Sequence, residues 1–222
     1  MAPRRTAVVA IGLGTALAAA AVLAALACTL GAGTVPAAWD ERAVDTLQRG
    51  LAPAWTTWLA DVSALHAPRV VLAMTTAFAL GIAWCGDRAA AAMLAAAVFG
   101  GSALNHLLKH ALERARPHAD AALAAATDHS FPSGHVASAT LLWGALALLL
   151  ALEGRKRRRM AGVAAAGATI LVATVAFSRV ALGRHYPSDV LAGVALGIGW
   201  LALCGTALLL SRGRAAHRML TA

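Results

Sequence analysis

The chain of 222 residues is 60% hydrophobic and only 13% charged, with a mean hydropathy of +0.70. A water-soluble domain carries roughly a quarter charged residues and disorder requires low hydrophobicity, so both classes are excluded and a polytopic membrane protein, one domain over 1–222, remains. The net charge of +9 does not point to nucleic acid, because the basic residues gather in short connectors between long apolar runs.

A helix that crosses a hydrocarbon core ~30 Å thick needs about 20 mostly apolar residues. In chain order, six charge-free stretches qualify: Thr6–Trp39, Val70–Gly86, Ala89–Leu108, His129–Leu152, Met160–Ser178 and Val190–Ser211. They predict an all-α fold, a compact bundle of six transmembrane helices. Val70–Gly86 is at the short limit, and the first stretch is a helix over about 6–31 followed by a non-helical tail. The first helix is read as retained, since the apolar region of a cleaved signal peptide runs only about 7–15 residues. The abundance of alanine and glycine favours close helix approach. Cys28, Cys85 and Cys204 all fall inside apolar runs and read as small hydrophobes.

Orientation follows from the connectors. With the N-terminus cytoplasmic, the inner segments hold eleven basic residues against Asp87 and Glu153, and the outer segments hold eight of each sign. The whole net charge then lies inside, as the positive-inside rule requires, and Arg155–Arg159 reads as a topology anchor. The first outer segment, about Val35 to Pro68, places Trp39, Trp55 and Trp58 among polar residues. That composition predicts an interfacial amphipathic stretch whose simplest role is anchoring at headgroup level.

Polar residues at membrane helices are functional candidates, and here they form three clusters, all on the outer side. Lys109 to Arg116-Pro117 ends the third helix, Pro132-Ser133-Gly134-His135 begins the fourth, and Ser178-Arg179 through His185 to Asp189 links the last two. Lys109 and Arg116, seven residues apart, share a face if the third helix extends that far. Pro132-Ser133-Gly134 provides a helix N-terminus suited to an anion, with Gly134 permitting close approach. Together with Arg179 these groups describe a phosphate cradle. One histidine can accept a phosphoryl group, and a second can protonate the departing oxygen. Asp189 stands four residues after His185, across a helix start opened by Pro187. Taken singly, His135 reads as a packed or capping residue and Lys109 or Arg116 as a snorkelling side chain. The shared face of three clusters is what those readings leave unexplained.

The three clusters resemble the signature of the type-2 phosphatidic acid phosphatase superfamily, which includes membrane lipid phosphate phosphatases and soluble vanadium haloperoxidases. Every signature position is present in order between 109 and 189. The resemblance implies that His185 is a nucleophile forming a phosphohistidine, oriented by Asp189, with His135 as general acid. It implies that Lys109, Arg116 and Arg179, with Ser133 and the Gly134 backbone, bind the phosphate, and that neither a metal nor a cofactor is required.

The expected activity is hydrolysis of a lipid phosphate or prenyl diphosphate at the outer leaflet, which in a bacterium is the periplasmic face of the inner membrane. Undecaprenyl diphosphate, phosphatidic acid and phosphatidylglycerophosphate are the candidate substrates. The competing readings are a phosphotransferase using the same phosphohistidine, and a non-enzymatic lipid transporter or sensor. Among neighbouring residues, His110, His118, His129, Arg114, Glu113 and Asp128 are candidates for shaping headgroup specificity, with ordinary loop polarity as the plainer reading. Asn105 and His106 are placed for hydrogen bonds between helices. Arg184 is a further candidate for the cradle.

Overall fold

The computed structural model describes residues 2–31, 36–117, 129–153 and 157–221, and every regular element among them is helical. In chain order these are α1 (Ala2–Gly31), α2 (Pro36–Gly50), α3 (Pro53–Leu65), α4 (Pro68–Trp84), α5 (Arg88–Leu112), α6 (Gly134–Leu152), α7 (Arg158–Ala181) and α8 (Pro187–Thr221). Proline stands at the first position of α2, α3, α4 and α8, where its missing N–H costs nothing and its fixed φ favours helix.

Among the described residues, five helices are long and apolar enough to cross a membrane: Thr6–Leu30, Arg88–Leu112, Gly134–Leu152, Arg159–Ala181 and Pro187–Arg212. A sixth crossing exists only if α3 and α4, bent by 48° at His66-Ala67, count together as one broken span. The expected second span is thus the weakest of the six. Its helix α4 has 17 residues, about 25 Å of helix against ~30 Å of hydrocarbon. The stretch after Gly31 also differs from expectation, since Trp39 lies within a second helix rather than a non-helical tail.

The last helix organises the bundle, with α1 and α6 packed along it and α7 packed against α6. Small residues permit this closeness, as anticipated: a Cβ on Gly12 of α1 would lie 2.1 Å from Thr206 Oγ1 on α8. Helix α5 contains a π-helical turn at Ala96–Gly100, and the Ala96 carbonyl accepts the Trp200 indole N–H at 3.0 Å. The lower core joins Val71 of α4, Leu94 and Val98 of α5, and Leu141, Leu142 and Leu149 of α6. A second cluster, Val44, Val136, Ala139, Val175, Val180 and Val190, lies beneath the three polar motifs. Leu17 of α1 is 72% and Ile170 of α7 68% exposed. In a chain this apolar, such outward residues face lipid, which is no less apolar than they are.

At the end opposite the motifs, Asp87 caps α5 by accepting the Ala90 N–H at 2.9 Å and pairs with Arg212. Arg157 pairs with Glu153 at 2.7 Å. Arg155 and Lys156 of the basic cluster lie outside the described residues.

Helices α2 and α3 also reach the interior. Trp39, Trp55 and Trp58 are exposed, but Asp40, Val44, Leu59 and Ser63 on the same two helices are buried. At the α3–α4 bend, His66 Nδ1 lies 2.8 Å from the Val62 carbonyl and Nε2 lies 3.2 Å from the Trp143 indole nitrogen. An indole N–H only donates and a carbonyl only accepts. The ring therefore carries its proton on Nδ1 and ties the bend to α6.

Candidate functional site

The first motif reaches the site by leaving the helix, not by extending it. Glu113 adopts a left-handed backbone, φ 41°, with its N–H bonded to the Lys109 carbonyl at 3.0 Å. Helix α5 thus stops at Leu112, and Lys109 and Arg116 do not share a helical face. An irregular segment carries Arg114 and Arg116 instead, and the Ser130 N–H bonds the Arg114 carbonyl at 2.7 Å. Arg116 donates to the Arg184 carbonyl at 2.7 Å, and the same nitrogen lies 3.4 Å from His185 Nε2. Lys109 donates from Nζ to the His129 carbonyl.

The third motif wraps the start of α8. Pro187 is the first helical residue and Asp189 the third, so the Asp189 carboxylate reaches back to the Tyr186 N–H at 2.9 Å, the geometry of a capping box. The same carboxylate accepts from Ser130 Oγ and from Arg114. His185 sits just before the helix, as anticipated, with Nδ1 3.4 Å from Asp189 Oδ2 and 3.4 Å from Ser130 Oγ. Both His185 and Asp189 are essentially excluded from solvent, at 1% and 0% exposure.

Burial pushes the His185 pKa down to about 4. The neighbouring carboxylate acts to raise it, while the charges of Arg116 and Arg179 depress it further. The folded-state value is below the ordinary 6.5, so the ring stays neutral until pH falls near 4. Stability contributed by this group is fully present above about pH 6.5 and is lost as pH falls toward 4. A pH titration of the His185 ring 15N shifts is expected to be flat from pH 8 to about 5, and a midpoint near 6.5 would contradict this account.

The second motif forms the N-terminus of α6. Ser133 is the N-cap; its N–H donates to the Asp189 carbonyl at 3.0 Å, and its Oγ is buried with no hydrogen-bond partner among the described residues. The first N–H groups of a helix lack intrahelical acceptors, so this end presents donors together with an unused hydroxyl. Gly193 makes the arrangement possible: a Cβ there would stand 2.7 Å from the Ser133 carbonyl oxygen. His135 is the second residue of α6 and half-buried. Gly134 packs close to Asn105, whose Nδ2 donates to the Pro132 carbonyl at 3.4 Å. Arg179, in the last turn of α7 and buried, donates to Ser63 Oγ of α3 at 2.6 Å. Its carbonyl accepts the N–H groups of Arg184 and His185 at 2.9 and 3.1 Å.

The first and third motifs therefore meet at His185, with Arg116, Arg179 and Asp189 set around it, and the second joins them through the Ser133 N–H on the Asp189 carbonyl. Arg184 supplies a carbonyl while its side chain is exposed. The rings of His106, His110 and His129 stack edge to face with centroids 4.4 and 5.6 Å apart. His118 and Asp128 lie outside the described residues. Among the described residues, no group of three or more His, Cys, Asp or Glu is placed to hold a metal ion. Sequence reasoning missed Asp40, Ser63 and Ser130, and it placed Arg114 only as a possible specificity residue. Ser130 stands three residues before Ser133, but nothing in the sequence ties Asp40 or Ser63 to distant partners.

The sequence model of the PAP2 superfamily matches residues 89–210. Similar curated proteins include lipid A 1-phosphatase of Rhizobium etli, 37% identical over 59% of this chain and 53% of the relative. Phosphatidylglycerophosphatase B of Bacillus subtilis is 36% identical over 43% of this chain and 46% of its own. Decaprenylphosphoryl-5-phosphoribose phosphatase of Mycobacterium tuberculosis is 41% identical over 46% and 52%. The chain spans about half the length of these curated relatives. In fold, it is similar to the crystal structure of a transmembrane PAP2-type phosphatidylglycerolphosphate phosphatase from Bacillus subtilis. The TM-score is 0.75 at 22% identity, covering 86% of this chain and 94% of that one.

Proposed function

The chain belongs to the PAP2 superfamily, and from that premise we propose that it hydrolyses a phosphate ester on a membrane lipid through a phosphohistidine. The observation that carries this reading is His185: buried, with Nδ1 toward Asp189 and Nε2 toward the Arg116 guanidinium. The Asp189 carboxylate holds the proton on Nδ1, which leaves the Nε2 lone pair for attack on phosphorus. The N–P bond forms as the P–O bond to the lipid breaks, and His135 gives its proton to the departing oxygen. Water then attacks phosphorus with His135 as base, the N–P bond breaks, and inorganic phosphate leaves. Arg116, Arg179, Lys109, the Ser133 hydroxyl and the first N–H groups of α6 hold the phosphate oxygens as charge shifts among them.

The three relatives' names share a phosphate on a lipid-borne headgroup, which favours a lipid phosphomonoester as substrate over a prenyl diphosphate. An apolar groove of about 540 Å³ between α6, α7 and α8 suits an alkyl chain. Its lining begins at Thr140, about 9 Å along α6 from Gly134.

The test is phosphate release by detergent-purified protein with EDTA present. The panel comprises lipid A, phosphatidylglycerophosphate, phosphatidic acid, undecaprenyl diphosphate and a soluble phosphate ester. Release from a lipid monoester is expected. No release from any of them by folded protein would sink the reading, as would transfer of the phosphoryl group to an acceptor without free phosphate.

The membrane in question is proposed to be the bacterial inner membrane, with the site on the periplasmic face. The charge distribution supports this orientation, since the net positive charge lies at the other end. Cys85, exposed at the end of α4 away from the site, provides the check. As the sole thiol in intact cells it should resist a membrane-impermeant maleimide until the membrane is opened. Labelling before opening would reverse the orientation.

A further inference from the structure

Arg114 is not aimed at a phosphate; both of its terminal nitrogens are already engaged by neighbouring residues. One terminal nitrogen bonds the Asp189 carboxylate and Ser188 Oγ, the latter at 2.7 Å, and the other pairs with Asp40 Oδ2 at 2.7 Å. Its plane lies over the Tyr186 ring, 4.2 Å from the centroid, and its side chain is only 13% exposed. Asp40 in turn accepts the Ser188 N–H at 3.0 Å and the Ser188 hydroxyl. Ser188 is the second residue of α8. Asp40, from α2, thus caps from outside the helix start that carries Asp189.

We propose that Arg114 and Asp40 are positioning residues for His185, so that the interfacial helix α2 is a working part of the reaction site. This rests on the reading of His185 as nucleophile. Two carboxylates with no solvent exposure share one guanidinium, and charges so buried persist only when paired. Without Arg114 the two acids would compete, and like charges at such a site drive one to take up a proton. A protonated Asp189 accepts poorly from the His185 Nδ1–H, and the ring loses the tautomer that leaves Nε2 free. The planar guanidinium fork serves two carboxylates and a hydroxyl at once in a fixed geometry. Helix α2 exposes Trp39 on one side while its neighbour Asp40 is buried on the other, so the segment that seats on the bilayer surface also fixes the nucleophile's partner.

The experiment compares Arg114→Gln, Arg114→Lys, Asp40→Asn and His185→Ala with the parent, on the preferred lipid phosphate and in binding inorganic phosphate. Arg114→Gln is expected to lower kcat about 10- to 100-fold, as for lost partners that orient metal-bound histidines. Its KM and affinity for inorganic phosphate should stay within about threefold, because Arg114 is not a phosphate ligand. The ring 15N shifts of His185 should show proton density moving onto Nε2. Arg114→Lys should recover part of kcat, and Asp40→Asn should lower kcat with KM unchanged. Should Arg114→Gln fail to fold, the other two variants decide on the same criteria. A kcat within threefold of the parent in the Arg114 and Asp40 variants overturns the proposal. So does a phosphate affinity lost along with kcat, which would make Arg114 a ligand. Full activity in His185→Ala would instead remove the nucleophile reading beneath it.

Discussion

His185→Ala is expected to abolish phosphate release from the lipid substrate, by about 10⁴-fold or more, the scale on which loss of a nucleophile is felt. The loss should be in kcat, because the cations that hold the phosphate remain. Binding of inorganic phosphate is therefore expected to survive within about an order of magnitude. Rapid acid-free quenching of the parent with labelled substrate should trap phosphate on the protein, and His185→Ala should trap none. Retention of parental turnover would remove the phosphohistidine from the mechanism. Loss of turnover with an unchanged amount of trapped phosphate would move the nucleophile elsewhere, His135 being the next candidate. Alanine also vacates a fully buried volume, so His185→Gln, which fills most of it, should behave alike if the effect is chemical.

Asp189→Asn should be nearly as damaging, with kcat lower by about 10³- to 10⁴-fold, as when a triad aspartate is amidated and its histidine adopts the wrong tautomer. The carboxylate meets donors on every side: the Tyr186 N–H, Ser130 Oγ, Arg114 and His185 Nδ1. An amide has one acceptor oxygen for all of them, and its NH2 pushes the imidazole proton onto Nε2. Arg114 would also lose one of its two buried counterions, so stability should fall by about 3 kcal/mol. Turnover per folded molecule, counted from the monodisperse fraction on size-exclusion chromatography, separates the two effects. If that quantity stays above a tenth of the parent's, Asp189 does not set the tautomer.

The residues with fixed internal spacing were legible in the sequence because their chemistry is local: His185, Pro187 and Asp189 form one helix start. Their placement on one face was legible because alternating apolar spans and connector charge dictate which loops meet. What escaped was set by tertiary partners. Glu113 takes a left-handed backbone with no glycine to advertise it, so Arg116 arrives by an irregular segment and not along a helix face. Asp40 and Ser63 sit in a tryptophan-bearing stretch whose composition says only that it lies at an interface. Their burial depends on α7 and α8, more than a hundred residues away. The count of crossings was the least legible feature, since a 17-residue helix after a bend satisfies the length rule only in company with its neighbour.

The joint between α6 and α8 has a consequence for how the molecule meets its bilayer. The Ser133 N–H is bonded to the Asp189 carbonyl, and Gly193 lies against the Ser133 carbonyl. The closeness continues away from the site: a Cβ on Gly197 would lie 2.7 Å from the Thr140 side chain, one on Gly144 2.8 Å from Leu201 and one on Gly205 2.7 Å from Leu148. The helix that bears His135 and the helix that begins beside His185 are thus joined along their length. The spacing of the two histidines then becomes a property of the joint and not of the surrounding lipid.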